Sequence, residues 1–136
     1  MDFLKSMAIA ASGLRAQSSR MRVISENVAN SESTAQRPGG NPYRRKIPTF
    51  SSEIDRTLDA KVITMGKVRQ DPSDFRVKYE PGHPAADQSG YVKYPNVNSL
   101  VEMTDMREAQ RSYEANINVI GATRRMIQRT IDLLRA

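Results

Sequence analysis

The sequence predicts a mainly α-helical chain with a small β-rich insert, in which long N- and C-terminal helices pack as a coiled-coil-like bundle within a larger helical assembly. Three observations carry this expectation. Apolar side chains recur at seven-residue spacing near both ends of the chain. Between the ends the composition changes to Pro, Gly, Ser and Asn punctuation with short β-branched and aromatic runs. The apolar rows are narrow and long, and an insert of about fifty residues cannot cover them, so their partners must be helices.

Residues 1–30 read as the first helix. Met7, Leu14, Met21 and Val28 form one row, Phe3, Ala10 and Ile24 the adjacent one, and only Gln17 breaks the stripe. Asp2 is placed to cap the start, and Asn27 and Asn30 stand where the pattern stops. Gly13 lies among Ala8, Ala10, Ala11 and Ser12. It either admits a close helix neighbour or is a tolerated helix glycine, which costs about 1 kcal/mol relative to alanine.

Residues 31–98 form the loop and β-rich middle region. Ser31 to Tyr43 has loop chemistry, whereas Lys61 to Val68, Asp74 to Tyr79 and Tyr91 to Tyr94 have the composition of short strands. Phe50, Ile54 and Leu58 lie four apart and also fit a short helical piece. Glu80-Pro81-Gly82-His83-Pro84 is a rigid turn in which Gly82 is the candidate for a positive φ angle.

The last helix, 99–136, opens with Ser99-Leu100-Val101-Glu102, which has the form of a capping box. Met106, Tyr113, Ile120, Ile127 and Leu134 follow seven apart, with Met103, Ile117 and Ile131 on the companion row and Gln110 and Arg124 interrupting it. At about 1.5 Å per residue the two helices are rods of roughly 42 and 54 Å, long for a chain of this size.

A chain of 136 residues has the length of one domain. Its hydrophobic fraction of 38% and mean hydropathy of −0.60 are low for a self-contained globule, so neighbours are expected to supply part of its stability. The net charge of +6 is spread along the chain rather than gathered on one face, which argues against nucleic acid. The densest basic run, Arg44-Arg45-Lys46, is expected to be a solvated loop. No stretch approaches the roughly 18 apolar residues that cross a bilayer, so no direct membrane insertion is expected. The start, with Asp2 ahead of its apolar residues and Lys5 and Ser6 among them, is unlike a signal peptide.

Catalytic chemistry has no residues to work with. There is no cysteine, and the lone histidine, His83, sits in a turn without a second histidine to complete a zinc or catalytic cluster. Pro38-Gly39-Gly40 lacks the following Lys-Ser/Thr of a phosphate loop. Glu102, Asp105 and Glu108 lie at helical spacing and read as a solvated face. No metal and no cofactor are expected, and the chain does not read as an enzyme.

Ser12-Gly13-Leu14-Arg15-Ala16-Gln17 and Ser25-Glu26-Asn27-Val28-Ala29-Asn30, followed by Thr34, resemble the signature of the flagellar rod and hook proteins. Tyr79-Glu80-Pro81-Gly82-His83-Pro84-Ala85-Ala86-Asp87 and Gly90-Tyr91-Val92-Lys93-Tyr94-Pro95-Asn96-Val97-Asn98 resemble the middle region of its proximal-rod members. Glu102-Met103 and Arg111-Ser112-Tyr113-Glu114-Ala115-Asn116 resemble their terminal helix. The likeness runs in order over nearly the whole chain, with Lys46 to Asp71 carrying no such motif.

The resemblance implies a structural subunit of the proximal rod, whose terminal helices form the inner layer of a tube that transmits torque and encloses the export channel. It implies further copies of the same chain, neighbouring proximal and distal rod subunits, the adaptor between rod and inner-membrane ring, and the flagellar type III export apparatus as partners. It also implies export from the cytoplasm without a cleavable signal peptide, to the periplasmic rod of the basal body. Subunit packing then falls to Met7, Leu14, Met21, Ile24, Val28, Met103, Met106, Tyr113, Ile117, Ile120, Ile127, Ile131 and Leu134. Motif and loop contacts fall to Gln17, Asn27, Asn30, Pro81, Gly82, His83, Pro84, Asn96 and Asn98. The extra basic and Pro-Gly residues from Arg37 to Lys46 depart from the pattern. Two rivals are a small basic nucleic-acid-binding protein with a helical dimer seam and a cytoplasmic coiled-coil adaptor.

Overall fold

A computed structural model describes residues 2–136 as two long helices, α1 (Phe3–Ala29) and α2 (Ser99–Arg135), with six short strands between them. The helices have 27 and 37 residues, about 40 and 55 Å at roughly 1.5 Å each. Asp2 caps α1 as expected: its Oδ1 accepts from the N–H groups of Leu4 (3.0 Å) and Lys5 (3.3 Å). Asn30 closes the other end by donating from Nδ2 to the Glu26 carbonyl at 2.8 Å.

The start of α2 departs from the capping box. Asn98 is the cap, its Oδ1 accepting from the Leu100 N–H at 3.1 Å, while Ser99 already lies within the helix. Glu102 does not reach back to the cap because its carboxylate is drawn into a buried pairing described below.

The strands form three separate two-stranded antiparallel ribbons. β2 (Phe50–Asp55) pairs with β3 (Ala60–Met65), from Phe50 opposite Met65 to Asp55 opposite Ala60. The short helix allowed by Phe50, Ile54 and Leu58 is therefore not formed. Phe50 and Ile54 lie on one strand face, because positions four apart also satisfy the two-residue period of a strand. Leu58 falls in the turn, where Asp55 Oδ1 accepts from the N–H groups of Thr57 and Leu58, and Asp59 holds a φ of 47°. β1 (Lys46–Ile47) pairs with β4 (Arg69–Gln70), and β5 (Arg76–Tyr79) with β6 (Tyr91–Tyr94).

In the connection from β5 to β6 the special glycine is Gly90, with φ of 84°, and not Gly82. A Cβ on Gly90 would lie 2.9 Å from the Tyr79 ring and 3.1 Å from Pro81, whereas one on Gly82 would meet nothing within 4 Å. His83 is occupied within the turn, its Nδ1 accepting from the Ala85 N–H at 3.0 Å.

The chain divides into two compact units that cut across the order helix, middle region, helix. In the first, α1 up to Met21 and α2 from Arg107 run antiparallel with β2–β3 alongside: Arg20 meets Glu108 at 3.5 Å, and Gly13 faces Asn116 so closely that a Cβ would lie 2.8 Å from its amide. Close approach is thus what Gly13 provides. The β3 edge leans on α1 through the Ile63 N–H, which donates to Ser12 Oγ at 3.2 Å. In the second unit Val23, Ile24, Val92, Tyr94, Pro95 and Val97 are buried, with Ala85 joining Val92 and Tyr94 in one cluster.

Candidate assembly interface

Within the second unit Asn27 is wholly buried, although it lies near the helix end where the sequence pattern stops. It does not terminate α1. Its Nδ2 donates to the Lys46 carbonyl (2.8 Å) and to Glu102 Oε2 (3.1 Å), while its Oδ1 accepts from the Lys46 N–H (2.9 Å) and the Tyr43 hydroxyl (2.8 Å). Two donors and two acceptor sites are all that a carboxamide has, and each is used. Asn27 thus reads both backbone groups of Lys46 as a neighbouring strand would, pinning β1 to α1 and both to α2.

Glu102 is 1% exposed, and its other oxygen accepts from Arg45 Nε at 2.5 Å. Arg45 also approaches Asp71 Oδ2 at 3.4 Å and Asp105 Oδ2 at 3.9 Å, and its N–H donates to Asn96 Oδ1 at 2.8 Å. Asn96 donates in turn to the carbonyls of Asp71 and Ser73, each at 3.1 Å. The basic run is therefore not a solvated loop. Arg44 lies over the Phe75 ring, 4.2 Å from its centroid, and donates to the Asp71 and Ser73 carbonyls; Lys46 meets Glu26 at 2.8 Å. Each cation of the run has its own partner.

The charges follow this geometry. Burial pulls the Arg45 pKa down, but the hydrogen bond and charge of Glu102, then those of Asp71, outweigh it and the net shift is upward. Hydrogen bonds from Ser73, then Arg45, hold the Asp71 carboxyl below its usual range. Lys46 lowers Glu26 and is itself raised by it. Burial pushes the Tyr43 hydroxyl up, so it remains a donor at neutral pH.

The heptad rows occupy a different place from this latch. On α1, Ile24 is buried and Met7, Leu14, Met21 and Val28 are half-buried. On α2 the residues buried against the chain's own elements are Glu102, Ala109 and Thr123, small or polar side chains on a row that a hydropathy pattern passes over. Met106, Tyr113, Ile120 and Ile127 flank that row half-covered, while Met103 (55%), Ile117 (46%), Ile131 and Leu134 are exposed. An apolar groove of about 320 Å³ lies between Ser25, Val28 and Ala29 on α1 and Met103 and Met106 on α2. Gln17 carries a buried Oε1 without a hydrogen-bond partner among the described residues. Pro81, Gly82, Pro84 and Asn98 lie at the surface.

A family profile described as flagella basal body rod protein matches residues 7–35, and one described as the C-terminal region of flagellar basal body rod FlgEFG proteins matches residues 88–133. The flagellar basal-body rod protein FlgC of Agrobacterium fabrum is 54% identical over 94% of this chain and 92% of its own length. The chain belongs to the FlgC family. FlgC proteins of Salmonella typhimurium (38% identical) and Bacillus subtilis (36%) are matched over 98% of this chain and 98% and 99% of their own lengths. The two profile matches hold Asn27, Asn96, Glu102 and the α2 seam from Met103 to Ile131, whereas Leu134 and the latch residues Tyr43, Arg45 and Asp71 lie outside both.

Tyr43, Arg45, Asp71 and Glu102 are the latch residues that pattern reading passed over as site residues. The available signal was a glutamate on the inner face of α2, in line with Ala109 at seven-residue spacing, which called for a cation elsewhere in the chain.

Proposed function

We propose that this chain is a structural subunit of the flagellar proximal rod, polymerising with copies of itself and with other rod proteins through the apolar faces of α1 and α2. The observation that carries this reading is the uncovered stripe of Met103, Ile117 and Ile131 beside half-covered Met106, Tyr113, Ile120 and Ile127 on a helix of 37 residues. Its own chain buries the small and polar row instead, so the apolar rows are left for neighbours. Long interdigitated helices resist torsion because many small packing contacts must break together, as a torque-transmitting shaft around an export channel requires. In this reading the chain is exported from the cytoplasm by the flagellar type III apparatus without a cleavable signal peptide, and is placed in the periplasmic span next to the adaptor of the inner-membrane ring. Its role is mechanical, not catalytic.

Ile117→Asp is the test. Ile117 is exposed in the single chain, so aspartate there leaves the fold and export intact, yet in a packed rod the carboxylate would be buried unpaired in every copy, at several kcal/mol each. Loss of rod assembly and motility with normal export is expected; normal swimming would refute the packing role.

A further inference from the structure

Two of the four longer strands present an exposed, unpaired edge. β2 and β5 each pair on one side only, and every residue of β5 and all but the last of β2 is exposed. Parity tells which backbone groups are open. The Gly66 N–H donates to the Thr49 carbonyl, so alternation along the hairpin turns the N–H and C=O of Phe50, Ser52 and Ile54 outward from β2. The Glu80 N–H donates to the Gly90 carbonyl, which likewise turns those of Val77 and Tyr79 outward from β5. Such edges are templates for a further strand.

The two edges differ in charge: β2 carries Glu53 and Asp55, β5 carries Arg76 and Lys78. An antiparallel pairing must set the outward residues of one strand against those of the other. Ile54 opposite Val77 with Ser52 opposite Tyr79 achieves this. The same register places Glu53 directly across from Lys78 and Asp55 across from Arg76, at the closer, non-hydrogen-bonded positions where cross-strand pairs interact most. Sliding by two residues one way sets Glu53 against Glu80 and leaves only Asp55 with Lys78 as an opposite pair, and the other way sets Asp55 against Asp74 and leaves only Glu53 with Arg76, so the stated register alone has two opposite pairs and no like one. Arg76 keeps its own contacts with Glu32 and the Ser31 and Pro95 carbonyls, so the Glu53–Lys78 pair is the main discriminator.

We propose that β2 of one copy adds to β5 of a second copy in this register, making one four-stranded antiparallel sheet from two ribbons. The contact joins different surfaces of the two copies, so it repeats head to tail instead of closing on itself, as a filament needs. Phe50, Ile54 and Ile63 then share a face with Val77, Tyr79 and Tyr91, gathering exposed apolar side chains that are scattered in the single chain. The proposal rests on the rod reading, which brings copies into register.

The chain has no cysteine, so introduced ones report alone. Cα atoms of a hydrogen-bonded antiparallel pair lie about 5.5 Å apart, within the span of a disulfide. Ile54→Cys and Val77→Cys are placed in separate, distinguishable chains, co-expressed, and oxidised in isolated basal bodies. The expected result is a mixed dimer several times more abundant than either like-with-like dimer. Basal bodies that contain both chains but yield no mixed dimer, or only like-with-like dimers, overturn the strand pairing and leave the rod reading standing. Wild-type chain absent from basal bodies overturns both. As a second measurement free of cysteine, Glu53→Lys and Lys78→Glu each lower rod yield and their combination in one chain restores it; a combination no better than the single changes contradicts the register.

Discussion

At the residue scale, Asn27 shows how much a single carboxamide can decide. Asn27→Asp removes both donors and sets a second carboxylate beside buried Glu102 and the Lys46 carbonyl, so a loss of about 3 kcal/mol or more is expected in chemical denaturation of the purified chain. Arg45→Ala should cost about as much, because it strands Glu102 without its cation. Gln17→Leu should do the opposite and raise stability by about 1 kcal/mol, since it removes a buried acceptor with no partner. A loss in the same assay would show that the Gln17 amide is satisfied in solution. Among the loop glycines, Gly90→Ala should destabilise, through both its positive φ and the contact with Tyr79 and Pro81, whereas Gly82→Ala should be near neutral; limited proteolysis of the two variants separates them. The sequence marks Asn27, Asn96 and Asn98 as motif residues without indicating what they hold together. A motif names a position, while the partners of Asn27 come from residues 16 to 75 positions away.

At the element scale, the helices were legible and the latch between elements was not. Seven-residue spacing delivers α1 and α2 within a residue or two at each end, and Asp2 and Asn30 cap as their chemistry dictates. The capping box failed at Glu102 because a half-buried arginine competes for the carboxylate better than a solvent-side N–H does. The basic run misled for a similar reason: charge clusters look solvated until the acids that meet them, here Glu26, Asp71 and Glu102, are brought from elsewhere in the chain. The hairpin was half legible, since β-branched Val62, Ile63 and Thr64 marked β3 while four-residue spacing suggested a helix for β2. Acid should loosen this latch. The folded-state pKa of Asp71 is depressed, so its contribution is present above the ordinary carboxyl value of 3.8 and is lost as pH falls through the folded value. Glu26 acts in the same direction, whereas the raised Lys46 contributes below its ordinary value of 10.5 and loses that contribution as pH rises through its folded value. Stability measured against pH should therefore drop on the acid side, and Asp71→Asn should flatten that drop.

At the scale of the whole molecule, the distribution of burial explains why a chain of low mean hydropathy can still carry long apolar rows. The first unit buries small and short polar side chains and the second a few aliphatics and a satisfied polar cluster, while the heptad residues other than Ala10 and Ile24 are half-covered or exposed. A dilute chain should accordingly be less helical than the 27 and 37 residues of α1 and α2 allow, because long helices draw most of their stability from packing. Circular dichroism showing the full helix content of α1 and α2 in the dilute chain would mean that the helices stand without neighbours. The most direct measurement is a density map of isolated basal bodies at side-chain resolution. Met103, Ile117 and Ile131 are predicted to be buried against helices of neighbouring rod subunits; a map in which that stripe faces the channel or solvent along its length would contradict the account.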